Sequence, residues 1–181
     1  MSTSDQVILV DEHDHPIGVM DKLEAHRGLG QLHRASSVLL FNDQGQVLVQ
    51  QRSNLKIVGA GQWANTCCGN VRPGESYEAC AHRRLQEELG IEGVTLKEVH
   101  KFIYQTPCND DFSEYEMDTV FIGHFNGQAK PNPEEVKTWK WENWDQFLAK
   151  VDSAEAIYVP WVAIMKDRGI LQQVHDQLHD F

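Results

Sequence analysis

The stretch Gly69–Ile91 reads GNVRPGESYEACAHRRLQEELGI. Its second half has helical spacing: Tyr77, Ala81, Leu85 and Leu89 recur every four residues and form an apolar stripe. The spacing predicts a helix over Glu75–Leu89, stopped by Gly90 where a C-terminal cap prefers glycine. Glu87 lies away from the stripe, within reach of Arg83 one turn back. Glu88 projects close to the stripe, and a carboxylate beside a buried face needs a cation or hydrogen-bond donors. Arg84 is one candidate for that cation, and a metal ion is another.

Just upstream, WANTCC is expected to be extended, so Cys67 and Cys68 point to opposite faces and at most one enters a site. A thiol ordinarily titrates at about 8.5, and electropositive surroundings bring it toward neutrality, which makes Cys68 an acid/base candidate. Cys67 and Cys80 read as small buried hydrophobes. With Cys108 these make four cysteines, in a chain far larger than a typical disulfide-stapled domain. Reduced thiols in a reducing compartment are expected.

The rest of the chain sets the frame. Its 181 residues fit one domain, 1–181, with a real core. A formal net charge of −11 argues against broad attraction to nucleic acid or an anionic membrane. An anionic substrate must then be held by a local basic cluster or by metal. No apolar run approaches membrane-spanning length and the N-terminus lacks a basic region before an apolar one, so a cytoplasmic protein is expected.

Gln6–Val10 reads as a strand ended by the polar turn DEHDHP. Ser36–Phe41 and Gln46–Arg52 flank NDQG as a hairpin. TLKEVHKFIYQT and EYEMDTVFIGHF alternate as a longer strand pair, KTWKWENW is another strand, and DQFLAKV begins a helix. A last helix is expected over about Pro160–Leu178, with a break at Gly169. The fold class is mixed α/β (α+β), with a helix after the central Cys-Gly loop.

The opening stretch resembles the Nudix box. Gly69, Glu75, Arg83, Leu85, Glu87, Glu88, Gly90 and Ile91 stand at its specified positions, and Arg84 replaces the glutamate of members that hydrolyse diphosphates. Further motifs, EAHRGLGQLHRASSVLLFN, QRSNLK, WANTCCG, SEYEMD and VPWVAIM, resemble the type 1 isopentenyl-diphosphate isomerase family in their order. The likeness runs from about Lys22 to Trp161. It implies a Nudix fold whose chemistry is a double-bond shift, in isoprenoid biosynthesis, by protonation and deprotonation through a carbocation.

The resemblance also implies roles. Cys68 and Glu116 match the family's acid/base pair, and Tyr104 matches the tyrosine that assists the glutamate. His26, His33, Glu114 and Glu116 match ligands of a divalent metal, expected to be zinc, manganese or magnesium. The family's fifth ligand, a histidine, is here Asn70, which would weaken the site or orient a water instead. Lys22, Arg52, Lys56 and Arg84 match residues that grip diphosphate, with magnesium at Glu88. Trp161 matches an aromatic facing the isoprenoid, whose ring stabilises a cation. Taken without the resemblance, the alternation that puts Glu114, Glu116 and Asp118 on one strand face predicts a solvated face. Trp63, Trp139, Trp141 and Trp144 read as packing. A Nudix pyrophosphohydrolase and a silent diphosphate-binding protein are the competing readings.

Overall fold

The computed structural model describes residues 6–153 and 157–180. Nine strands form one mixed sheet: β1 (Gln6–Val10), β2 (Pro16–Asp21), β3 (His33–Phe41), β4 (Gln46–Arg52), β5 (Trp63–Ala64), β6 (Cys67–Asn70), β7 (Leu96–Pro107), β8 (Ser113–His124) and β9 (Val136–Asn143). The helices are α1 (Lys22–His26), α2 (Tyr77–Leu89), α3 (Trp144–Val151), α4 (Pro160–Asp167) and α5 (Ile170–Asp176).

Strand β3 organises the sheet. It pairs in parallel with β8 from His33↔Glu116 to Phe41↔His124, and antiparallel with β6 from Ala35↔Asn70 to Val38↔Cys67. Alternation along β3 then feeds two cores. Val38 and Leu40 pack with Leu48 and Cys67 against Ala81, Leu85 and Leu89 of α2. Leu39 and Phe41 face the other way, onto Phe147 of α3, Met165 of α4 and Leu171 of α5. Helices therefore cover both faces of the sheet, packing on the apolar C-terminal halves of β3 and β8.

The hairpin around NDQG forms, with Phe41 opposite Val47. Helix α2 starts at Tyr77, two residues after the expected start, because the Ser76 side chain caps it by accepting from the Ala79 amide at 3.1 Å. At its other end Gly90 takes the left-handed conformation (φ 62°), and its amide donates to Gln86 and Leu85 carbonyls. The last helix does break at Gly169, leaving α4 and α5 as separate helices. Two elements went unread in the sequence. Strand β2 sits at the sheet edge with most of its residues exposed on both faces, so it carries no alternation. Helix α1 has only five residues, too few for a period, and is set by the Asp21 cap. Trp144 lies in one core, while Trp63, Trp139 and Trp141 pack beside the cores as partly buried side chains.

The turn between β1 and β2 is tied to the body by Asp14, which adopts positive φ (65°), a conformation aspartate tolerates better than most residues. Its carboxylate accepts from Arg34 Nε at 2.7 Å, Tyr77 OH at 2.8 Å and Lys101 Nζ at 2.8 Å. Partial burial disfavours the carboxylate, but these donors outweigh it and lower its pKa below 3.8. The stability it contributes is therefore complete above the unfolded value and is lost as pH falls through the lower folded value. Asp14→Asn is expected to cost about 1–2 kcal/mol at neutral pH, and less as pH drops below about 4. Urea unfolding at two pH values checks this, and an equal loss at both would contradict it.

Candidate active site

A single open cavity of about 660 Å³ collects most of the residues singled out above. Cys68, Asn70, Tyr104, Glu114 and Glu116 line its inner wall, with His26. Arg52, Lys56, Arg84 and Trp161 line the rest, and Lys22 stands at the exposed rim. His33 and Glu88 are not on the cavity surface; they lie buried behind it, 0% and 1% exposed.

Register builds the inner cluster. Glu116 on β8 lies beside His33 of β3 and opposite Tyr104 of β7. Glu114 comes two residues earlier on the same face. Ligand atoms of His26, His33, Glu114 and Glu116 all lie within 4.8 Å of one another. The expectation of a solvated acidic face is thus overturned: Glu114 and Glu116 are each 7% exposed and Asp118 is 1% exposed. The reason is tertiary, since His26 of α1 meets Glu114, Asn70 and Tyr104 meet Glu116, and Ser37 meets Asp118 on that face.

The imidazoles are oriented by backbone. His26 Nδ1 meets the Lys22 carbonyl at 2.7 Å, and His33 Nδ1 meets the Gln31 carbonyl at 2.7 Å. A carbonyl opposite Nδ1 demands a proton there, which leaves each Nε2 lone pair turned into the cluster. His26 Nε2 then faces Glu114 Oε2 at 3.0 Å. Two lone pairs that close need a cation between them, either a proton or a metal ion. Burial lowers the His26 pKa, but the Glu114 carboxylate outweighs it and the net shift is upward. Burial likewise disfavours the Glu114 carboxylate, yet His26 brings it down to about 2. Two imidazoles and two carboxylates are a donor set suited to zinc or manganese, so the residues present fit a divalent ion.

Asn70 enters this cluster. Its Nδ2 donates to Glu116 Oε1 at 2.9 Å and lies 3.0 Å from His33 Nε2. Tyr104 donates its hydroxyl to Glu116 Oε2 at 2.5 Å. Burial first, then the Glu114 charge, raises the Glu116 pKa. Next on that face, the Asp118 carboxyl is pushed up to about 8 by burial and by Glu116, and accepts from Ser37 Oγ at 2.7 Å.

The two cysteines separate as expected. Cys67 is buried under α2, whereas Cys68 packs beside the opposite core and faces the cavity. The expected move of Cys68 toward neutrality is not found. Burial pushes its thiol up to about 12, although Arg52 Nη1 lies 3.7 Å from Sγ. Arg52 is itself held by the Val58 carbonyl and spreads over the Trp161 ring at 5.3 Å. Trp161 Nε1 donates to Asn65 Oδ1 at 3.0 Å, and Asn65 Nδ2 donates to the Cys67 carbonyl at 2.8 Å. Asn65 thereby ties the aromatic wall to the Cys67–Cys68 strand, a role the sequence reading missed.

Arg84 lies flat over Gly69, whose added Cβ would come within 2.6 Å of Arg84 Cγ. It binds Glu87 at 2.6 Å, Glu135 at 2.9 Å and also Glu88. The other Glu88 oxygen accepts from Gln50 Nε2 at 2.5 Å. Arg84 is thus a cation held against Glu88. Glu87 pairs with Arg83 at 3.0 Å, as its helical position predicts. Gln50 and Glu135 were not read from the sequence, because their partners are 38 and 51 residues away.

Comparison with known proteins fits this geometry. The NUDIX domain family profile matches residues 31–162. Isopentenyl-diphosphate Delta-isomerase 2 of Photorhabdus laumondii is 43% identical over 155 residues, 86% of each chain. The chain belongs to the isopentenyl-diphosphate Delta-isomerase family, within the NUDIX fold. Isopentenyl-diphosphate Delta-isomerase 1 of Aromatoleum aromaticum is 40% identical over 173 residues, 96% of this chain and 97% of that one. Among solved structures, DR0079 from Deinococcus radiodurans superposes with a TM-score of 0.75 at 22% identity, over 90% of this chain and 98% of its own. At that identity the likeness speaks for the fold alone. Among the described residues no helix is long and apolar enough to cross a membrane.

Metal analysis tests the cluster. One divalent ion per chain is expected after dialysis against manganese or zinc, and Glu114→Gln is expected to lose it. Equal metal content in both proteins would remove the cluster as its site.

Proposed function

We propose that the chain interconverts isopentenyl and dimethylallyl diphosphate, with Glu116 and Cys68 as the proton-handling groups. The observation that carries this reading is that the Tyr104–Glu116 pair and Cys68 open onto one cavity with Trp161 and the basic side chains.

The chemistry follows from that arrangement. Protonation of the terminal alkene carbon leaves a tertiary cation on the neighbouring carbon, and loss of a proton from the adjoining methylene closes the new double bond. Glu116 supplies the first proton, with Tyr104 bonded to its other oxygen. The Trp161 face stabilises the cation, and the Asn65 bond holds the indole in place. Cys68 takes the second proton as a thiolate, a form that burial disfavours and the adjacent Arg52 charge partly restores, and returns it as a thiol in the reverse direction. A divalent ion at His26, His33, Glu114 and Glu116 would fix Glu116 and withdraw charge from it. Asn70 supports the same carboxylate by a hydrogen bond where the resemblance expects a histidine ligand.

Lys22, Arg52, Lys56 and Arg84 hold the diphosphate. Magnesium beside it would take Glu88 as its carboxylate, which requires Arg84 to turn from Glu88 to phosphate oxygens. Arg84 at the position of a hydrolytic glutamate favours rearrangement over hydrolysis.

Conversion of isopentenyl to dimethylallyl diphosphate, with magnesium plus zinc or manganese, is the direct assay. Cys68→Ala and Glu116→Gln are each expected to lose at least about 10²–10⁴-fold in kcat, and Cys67→Ala to keep most of it. Release of phosphate or a monophosphate without isomer would establish the hydrolase reading instead. Loss of turnover in Cys67→Ala with Cys68→Ala active would reverse the assignment.

A further inference from the structure

Of the six Lys and Arg side chains that line the cavity, the four assigned to diphosphate fall into two unlike pairs. Among the described residues Lys22 has no ion pair, and Arg52 is bonded to a carbonyl and a thiol, not to a carboxylate. Lys56 and Arg84, by contrast, are already neutralised. Both bind one oxygen, Oε2 of Glu135, and Arg84 also binds Glu87 and Glu88.

Glu135 is well placed to hold that position reversibly. Its backbone is pinned, with its carbonyl accepting from the Ser53 amide at 2.9 Å and its amide donating to the Asn132 carbonyl at 3.0 Å. The segment is anchored to the Nudix helix as well, through Asn132 N and the Glu88 carbonyl at 2.9 Å. Its side chain lines the cavity and stays 25% exposed, whereas Glu88 is sealed behind the wall at 2%. The Glu135 carboxylate can swing into water without uncovering a buried charge. Glu88 cannot.

Resting on the diphosphate site proposed above, we infer that Glu135 is a displaceable counter-ion. It occupies Lys56 and Arg84 when the cavity is empty, and an arriving diphosphate must push it aside. A carboxylate and a phosphate compete for the same two donors, and the diphosphate wins by carrying more charge and more acceptor oxygens. The competition costs affinity for both diphosphates that the enzyme handles, and so eases release of either. It also keeps the two cations in place between turnovers, where otherwise they would repel each other and Lys22.

Calorimetric titration with inorganic pyrophosphate, in low salt and without divalent metal, tests the role in the intact protein. Glu135→Gln is expected to bind pyrophosphate about three- to tenfold more tightly than wild type, the range for removal of a partly exposed competing charge. Glu134→Gln removes the same charge from the next residue, which lines the cavity without pairing with Lys56 or Arg84. Its gain should be under about twofold, from screened long-range charge alone. Glu135→Asp keeps the charge but shortens its reach, and is expected to tighten binding in the same direction if the glutamine variant does not fold. Unchanged or weaker pyrophosphate binding in the Glu135 variants would overturn the inference, as would an equal gain in Glu134→Gln. A wild-type protein that binds no pyrophosphate would sink the diphosphate site itself, a failure distinct from these.

Discussion

The parallel pairing of β3 with β8 is the constraint on which the site depends. It puts His33 beside Glu116, and with β7 on the other side it brings Tyr104 opposite the same carboxylate. A shift of one residue would turn Glu114, Glu116 and Asp118 to the other face of the sheet and leave the histidines without partners. Because His26, Asn70, Tyr104 and Ser37 converge on that face of β8, its acids are removed from water and must find protons, donors or a metal. Most of the chemistry proposed for this chain follows from that one burial.

A second balance of charge lies at the outer part of the cavity. Gly69 leaves room for the Arg84 side chain to lie against the Cys68 strand. There it joins three carboxylates, one sealed and two reachable by water. The sealed one, Glu88, is held firmly by Gln50 and Arg84 together. Positive charge for a diphosphate is thus stored in ion pairs that can open, which suits a chain whose net charge is strongly negative.

Much of this was legible in the sequence, for reasons that differ by residue. The α2 stripe, the Gly90 cap and the division of Cys67 from Cys68 are local, and helical and strand periods reveal them. The assignment of His26, His33, Glu116 and Tyr104 needed the resemblance, since no local rule joins residues on four elements. Local reasoning about Glu114, Glu116 and Asp118 went wrong because alternation tells which residues share a face, not which side chains of other elements cover it. Cys68 shows a similar limit. A positive charge does lie beside it, that of Arg52, but the burial that outweighs it depends on how the whole cavity closes. Strand β2, α1, Gln50, Asn65 and Glu135 were unread, the first two for want of a pattern and the others because their partners are distant or their contacts depend on the assembled fold.

The most direct test of the account is the rearrangement carried out in heavy water and followed by proton and deuterium NMR. If Glu116 protonates the alkene, dimethylallyl diphosphate should gain deuterium in the methyl group formed from the terminal alkene carbon, and Glu116→Gln should abolish that label. Product without solvent deuterium in that methyl group, or the same labelling in Glu116→Gln, would contradict it.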